Sequence, residues 1–458
     1  MSRDTLASKR TDFAPAPRNF QVKLVRLPIS VSAEGLACVA TLALPFINIV
    51  GPIGVLAFFG STSLVLMLRP LPSMRELLRF SPLFLLPVLA ILSTIWSEAP
   101  QRSMRSGLEL LLTIGAGIVI CRNMRPERFI LCLFVAMLLI SATVAPNIPQ
   151  CIATKYPLTA SWGSKNQVGL FGFLLFALSP AIIFDRLQPW PARLIAPLAA
   201  VYALLVCYLA QSGGTTSCLV LMMIAFPPLA LLAAMKPPLR IALVVITLLL
   251  ILGASFFLSD ISAAITDFRT TVLNKDATLT GRTYLWDFAD RLSAGSPILG
   301  HGYFAFWRQG NIDAEGLWRW GGIAARGGFN FHNAFVGMRV DLGIVGVVIL
   351  AGSCVAVMLG ALSRQVIAPS TALACLISIT LVNYVRTYVE EGLVSPFSVV
   401  TLVWLATILY ALPARLGQSE PVSGERVRAY VADDPIRPRK ERWSAGIPRG
   451  RPSRRMLG

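Results

Sequence analysis

Twelve apolar runs and one polar interruption dictate what this chain can become. The runs fall at about 31–49, 51–68, 80–97, 108–121, 129–145, 166–184, 194–210, 217–235, 241–258, 334–361, 367–385 and 393–412, the fourth being the shortest. Crossing a bilayer takes roughly 17 to 25 apolar residues. With 55% hydrophobic and only 14% charged residues, the chain has more apolar surface than one water-soluble core can hide, so lipid is its expected solvent. The expected fold is therefore an all-α polytopic membrane protein of about twelve transmembrane helices. Its expected organisation is a terminal segment 1–30, helices across 31–258, a polar loop 259–333, further helices across 334–412 and a tail 413–458.

Lys and Arg favour the cytoplasmic side of short loops. With the amino terminus inside, the inner short loops carry eleven basic residues and the outer ones five. The first 30 residues add six, and the tail adds eleven between Arg415 and Arg455. Both termini are thus expected in the cytoplasm and the 259–333 block outside. The net charge of +18 sits mostly in these segments, so topology and anionic lipid heads account for it and nucleic acid is not an expected partner. The tail, with basic residues among Pro, Ser and Gly, is too polar to pack and reads as disordered. The eight cysteines form no C-x-x-C pair and read as small buried hydrophobes. The first apolar run follows a long polar lead and reads as the first span rather than a cleavable leader.

The 259–333 block holds both histidines, His301 and His332, four tryptophans (Trp286, Trp307, Trp318, Trp320), and seven basic residues against seven acidic ones. Water-loving residues held between membrane helices are where chemistry can happen. Leu285, Phe288, Ala289 and Leu292 recur at helical spacing, with Thr280 as a possible cap and Gly295 and Pro297 as the stop. That short amphipathic helix can rest on the membrane surface or on the ends of spans, with Arg282 near its start facing a cavity. The aromatic cluster suits the C–H faces of sugar rings, and equally suits a bilayer interface. His332 and Asn333 stand where the block meets the next span. An imidazole, with an ordinary pKa of about 6.5, could take a proton from a hydroxyl near neutral pH; a helix-start histidine bonded to backbone is the plain alternative. His301, in a Gly-x-Gly turn, is the weaker candidate. Glu390 and Glu391 are unusual charges close to the membrane; they could bind acceptor hydroxyls or, the favoured reading, pair with Arg386.

The order Gly281-Arg282-Thr283-Tyr284-Leu285-Trp286, then Pro297-Ile-Leu-Gly300-His-Gly302-Tyr303, then His332-Asn333 followed by Asp341-Leu342-Gly343-Ile344-Val345-Gly346 resembles the signature of the O-antigen ligase and polymerase superfamily. Gly163-Ser164-Lys165-Asn166-Gln167-Val168-Gly169 resembles the Lys-Asn-x-x-Gly segment of its exopolysaccharide polymerase branch. The resemblance implies a GT-C-like membrane glycosyltransferase with a large periplasmic loop containing short helices, in the bacterial inner membrane. Such an enzyme, without metal or other cofactor, takes a glycan from an undecaprenyl diphosphate carrier and joins it to an acceptor sugar hydroxyl. Its implied partners are the lipid-linked glycan, the acceptor glycan, membrane lipids, and chain-length regulator and export proteins.

By the same resemblance Arg282 takes the diphosphate and His332 is the base. Lys165, Asn166, Arg319, Arg326, Asn333, Trp286 and Glu391 are the substrate-binding candidates. The chain departs from the pattern at Gln211-Ser212-Gly213-Gly214-Thr215-Thr216, where many members carry Ser-Arg-Thr or Ser-Lys-Thr, so Lys165, Arg319 or Arg326 must supply the second positive charge. Ser164 stands where a histidine often precedes Lys-Asn. The block has no D-x-D pair and no His/Cys ligand cluster, in keeping with a metal-free mechanism. Two rivals remain: a ligase that passes finished glycan to a lipid core, and a transporter of polar solutes or polysaccharide, which would place charges inside the spans where few are found.

Overall fold

The computed structural model describes residues 32–255, 281–324, 326 and 329–412. The tail read as disordered, the first 31 residues and residues 256–280, with Thr280 among them, lie outside the described residues. Helices dominate, and no strand forms among the described residues beyond a single antiparallel bridge between Ala160 and Gly163. The protein is an all-α polytopic membrane protein. Within the described residues a helix lies on each of the twelve apolar runs, the last beginning only at Val399. Among the described residues seven helices are long and apolar enough to cross a bilayer, or eight if the bent pair Pro52–Leu68 and Pro70–Arg79 forms one span. The others are shorter, so the count of twelve stays an expectation.

Three departures from the expected runs have clear causes. The shortest run, 108–121, belongs to a longer helix, Pro100–Arg122, because Pro100 at its first position starts the helix among polar residues where hydropathy is blind. Residues 70–79, expected as loop, form a helix bent 109° from the one before. Leu71, Met74 and Leu78 lie on its exposed face, and Glu76 pairs with Arg122 Nε at 2.8 Å. The long helix Ala334–Ile367 is broken at Gly343 (φ 64°, ψ −162°).

That break joins the polar block to the helices. His301 and Gly302 donate their N–H groups to the carbonyls of Val340 and Asp341 (both 2.9 Å), while Ile344 and Val345 donate to Pro297 (2.9 Å) and Ile298 (3.3 Å). The backbone groups released by the interrupted helix are thereby satisfied by the 297–302 turn, as buried backbone requires. The approach is so close that a Cβ on Gly300 would lie 2.6 Å from the Asp341 carbonyl, and one on Gly343 would overlap that of Ile298. Both glycines hold positive φ, so only this residue type fits.

The described part of the block makes its own small core. The amphipathic helix runs Arg282–Ala294, with Gly281 at its cap position (φ 80°) and no side-chain cap bond. Its buried face, Leu285 and Ala289, packs with Phe306, Leu317, Trp318 and Phe331 and with Val340 of the broken helix. It therefore rests on the block and on a helix end rather than standing free. A second short helix, Ile312–Trp320, is capped by Asn311.

Candidate active site

His332 is placed by the chain around it. Its backbone is left-handed (φ 53°), a conformation that costs a side-chain-bearing residue of order 1–2 kcal/mol. The neighbours impose it. Asn330 Oδ1 accepts the His332 N–H at 2.8 Å, an Asx turn. The Phe331 N–H donates to Glu391 Oε1 at 2.8 Å, and the Phe331 carbonyl accepts from Trp286 Nε1 at 2.9 Å. Asn333 Oδ1 then accepts the N–H groups of Phe335 and Val336 and starts the next helix, and the Ala334 N–H bonds the Thr387 carbonyl. Peptides on both sides of the imidazole are fixed.

Glu390 gathers the functional side chains. Its Oε1 lies 3.0 Å from an Arg282 guanidinium nitrogen and accepts from Asn166 Nδ2 at 3.0 Å. Its Oε2 lies 3.4 Å from His332 Nδ1. Asn166 Oδ1 accepts from the Ser212 hydroxyl at 3.0 Å, which draws the starts of Lys165–Phe184 and Gly213–Leu231 into the cluster. The Arg282, Glu390 and His332 side chains are 19%, 12% and 22% exposed, so they are shielded yet reachable. Burial alone would raise the Glu390 carboxyl, but the His332 bond and the charges of Arg386, His332 and Arg282 outweigh it and hold the group below its ordinary range. A carboxylate only accepts, so a neutral His332 must donate through Nδ1, leaving Nε2 open to receive a proton.

The neighbouring carboxyl behaves oppositely. Glu391 is pushed up to about 8 by burial first and then by the charges of Asp341 and Glu390, against the opposing pull of the Phe331 N–H. It lies against a cavity of about 710 Å³ whose wall includes Trp307, Trp318, Phe329 and Asn330.

The two catalytic candidates thus meet on one carboxylate. Arg282 pairs with Glu390 rather than with Asp287 or Asp290, while Asp276 lies outside the described residues. The expected Glu390–Arg386 pair is replaced by the pairs with Arg282 and His332; Arg386 acts on Glu390 only through its charge. Of the substrate-binding candidates, Asn166 and Glu391 sit at the cluster. Asn333 serves as a helix cap and Trp286 braces the Phe331 carbonyl, because both follow from where helix and loop must join. Lys165 is exposed beside Asn166, with no ion pair among the described residues. Arg319 bonds the Glu315 carbonyl and Arg326 faces Glu315 at 3.6 Å, so neither touches the Glu390 cluster. The Gly213-Gly214 departure leaves open space, a Cβ on Gly214 meeting only Ser212 Oγ at 4.0 Å.

His301 is bound on both ring nitrogens, by Glu98 at 2.7 Å and by the Leu292 carbonyl at 3.1 Å. It fastens the block to the 96–99 turn. Asn330 and Glu98 escaped sequence reading; an Asn two residues before a histidine was the one available sign, since Glu98 lies 203 residues from His301.

Residues 198–351 match a family model described as O-antigen ligase, and that interval contains Arg282, His332 and the helix break. The chain is thus similar to the O-antigen ligase and polymerase superfamily over the segment that carries these residues. It is also 27% identical over 363 residues to the exopolysaccharide production protein ExoQ of Rhizobium meliloti (strain 1021), across 76% of this chain and 81% of that protein. Both likenesses support a membrane enzyme of the glycosyltransferase type. The segments that carry the resemblance form one assembly, with Pro297–Gly302 docked on Val340–Val345 and Arg282 joined to His332 by Glu390. Glu390, Glu391 and Asn166 fall outside the matched interval, although they lie at the same cluster.

Proposed function

We propose that the enzyme polymerises undecaprenyl diphosphate-linked repeat units into exopolysaccharide or O-antigen, at the periplasmic face of the bacterial inner membrane with both termini in the cytoplasm. The acceptor hydroxyl attacks the anomeric carbon from the face opposite the carrier. The new C–O bond forms as the bond to the carrier phosphate breaks, its electron pair leaves with the diphosphate, and the hydroxyl proton passes to His332 Nε2 late in the step. Attack from the far face inverts the anomeric centre, and Arg282 neutralises the charge that grows on the leaving phosphate in place of a metal. The arriving diphosphate competes with Glu390 for Arg282. The observation that carries this reading is the shared carboxylate, Arg282 on one oxygen and His332 on the other.

The description O-antigen ligase favours a second reading, transfer of finished glycan to a lipid core. One experiment separates them. In a strain lacking the wild-type copy, His332→Ala and Arg282→Ala leave single repeat units on the carrier if the enzyme is a polymerase, and full-length chains on the carrier if it is a ligase. Polymer of normal length with both substitutions refutes the site. Labelling a cysteine placed at Gln309 with a membrane-impermeant reagent tests the orientation, and protection there reverses it.

A further inference from the structure

Two cavities meet at guanidinium groups that the transfer step does not use. The inner one, about 710 Å³, has aromatic walls and lies within the range of about 300–1,000 Å³ typical of small-ligand pockets. The outer one, about 830 Å³, opens along the start of the helix Pro100–Arg122. Arg102 and Arg308 line both. Arg308 is neutralised by Glu98 at 3.5 Å. Arg102 has no ion pair and no side-chain hydrogen bond among the described residues, and the acidic side chain acting on it, Asp341, already accepts the Phe304 N–H at 3.1 Å.

We propose that these joined cavities hold the acceptor glycan and that Arg102 selects acceptors bearing a carboxylate, as a uronic acid or a carboxyl-bearing substituent does. The chemistry divides by position. Trp307 and Phe329, backed by the buried Trp318, offer ring surface to the C–H faces of a sugar, and their wall continues to Asn330 and Glu391, next to His332. An acceptor lying there presents a hydroxyl towards His332, and its further residues extend towards Arg102. A guanidinium without a protein carboxylate pairs with a ligand carboxylate in bidentate fashion. At the inner end the Glu391 carboxyl offers hydrogen bonds to hydroxyls and no positive charge, so the acidic substituent is read at the mouth and the neutral hydroxyls within.

The word acceptor rests on the transferase reading above, but the binding preference is measured without turnover. Purified protein in discs of zwitterionic lipid is titrated, by its tryptophan fluorescence, with a glucose tetrasaccharide and with the same tetrasaccharide ending in glucuronate. The acidic form should bind at least about fivefold more tightly at low salt, by an amount that shrinks as ionic strength rises. Arg102→Gln should abolish the preference and Arg102→Lys retain part of it, at melting temperatures matching the wild type. Equal binding of the two glycans, binding of neither, or a preference that survives Arg102→Gln overturns the proposal. Failure of the wild type to use any lipid diphosphate donor instead overturns the transferase reading and leaves the binding preference standing.

Discussion

Glu390→Gln tests whether one carboxylate coordinates base and phosphate ligand. The amide keeps the shape of the side chain and removes its charge, which lies 3.0 Å from Arg282 and 3.4 Å from His332 Nδ1. At an effective dielectric constant of about 20, a full imidazolium at that distance from the carboxylate is stabilised by roughly 5 kcal/mol. A proton about half transferred in the transition state reduces this to ~2.5 kcal/mol, and water reaching the partly exposed side chains brings it towards ~1 kcal/mol. Loss of ~1–2.5 kcal/mol lowers kcat about five- to seventy-fold. Donor binding should move the other way, because the Glu390 carboxylate no longer competes with the diphosphate for Arg282. Initial rates with a lipid-linked donor in nanodiscs measure both, so the expected signature is a lower kcat with a donor KM that is unchanged or lower. A variant within twofold of wild-type kcat, or one whose donor KM rises while kcat holds, refutes the reasoning.

Three further outcomes follow from the geometry. Glu391 has its folded-state pKa raised to about 8; for an acid this means stability present below the ordinary carboxyl range and lost as pH climbs through about 8, by up to ~1.4 kcal/mol per pH unit. Glu391→Gln, which still accepts the Phe331 N–H, should flatten the fall in melting temperature between pH 6 and pH 9, and parallel curves would count against a buried, proton-bearing carboxyl. Gly343→Ala forces a Cβ into the Ile298 carbonyl at positive φ, so it should cost ~3 kcal/mol or more and deplete folded protein in the membrane; a normal melting curve contradicts the docked break. His301→Gln should destabilise by ~1–2 kcal/mol through loss of the Glu98 and Leu292 bonds yet lower kcat less than about threefold, whereas a loss as deep as that of His332→Ala would give His301 a chemical role.

Much of the architecture was legible because lipid imposes a local rule. A run of apolar residues must be helix wherever it lies in the chain, and among the described residues a helix lies on every expected run. The amphipathic helix near residue 282 was visible for a similar reason, since Leu285 and Ala289 repeat at its period. What sequence could not supply was partnership. Glu390 stood out as a charge near the membrane, but Arg386, four residues away, was the obvious mate, while Arg282 lies 108 residues off and Asn166 lies 224 off. The 70–79 helix was missed because hydropathy averages away a helix with one polar face. The kink at Gly343 was missed because a glycine in an apolar run costs little unless its backbone flips, and the reason for the flip lies on the Pro297–Gly302 turn.

Four main-chain bonds between that turn and the interrupted helix weld the outer lobe to a rod that dips into lipid. The lobe consequently cannot swing as an independent flap, and whatever loosens the rod must also be felt at His332. Extra residues should be accommodated around Gly310, whose added Cβ meets nothing, and rejected between Ile298 and Gly302. Descendants of this scaffold are thus free to vary what they grip at the rim while the anchorage beneath stays the same length.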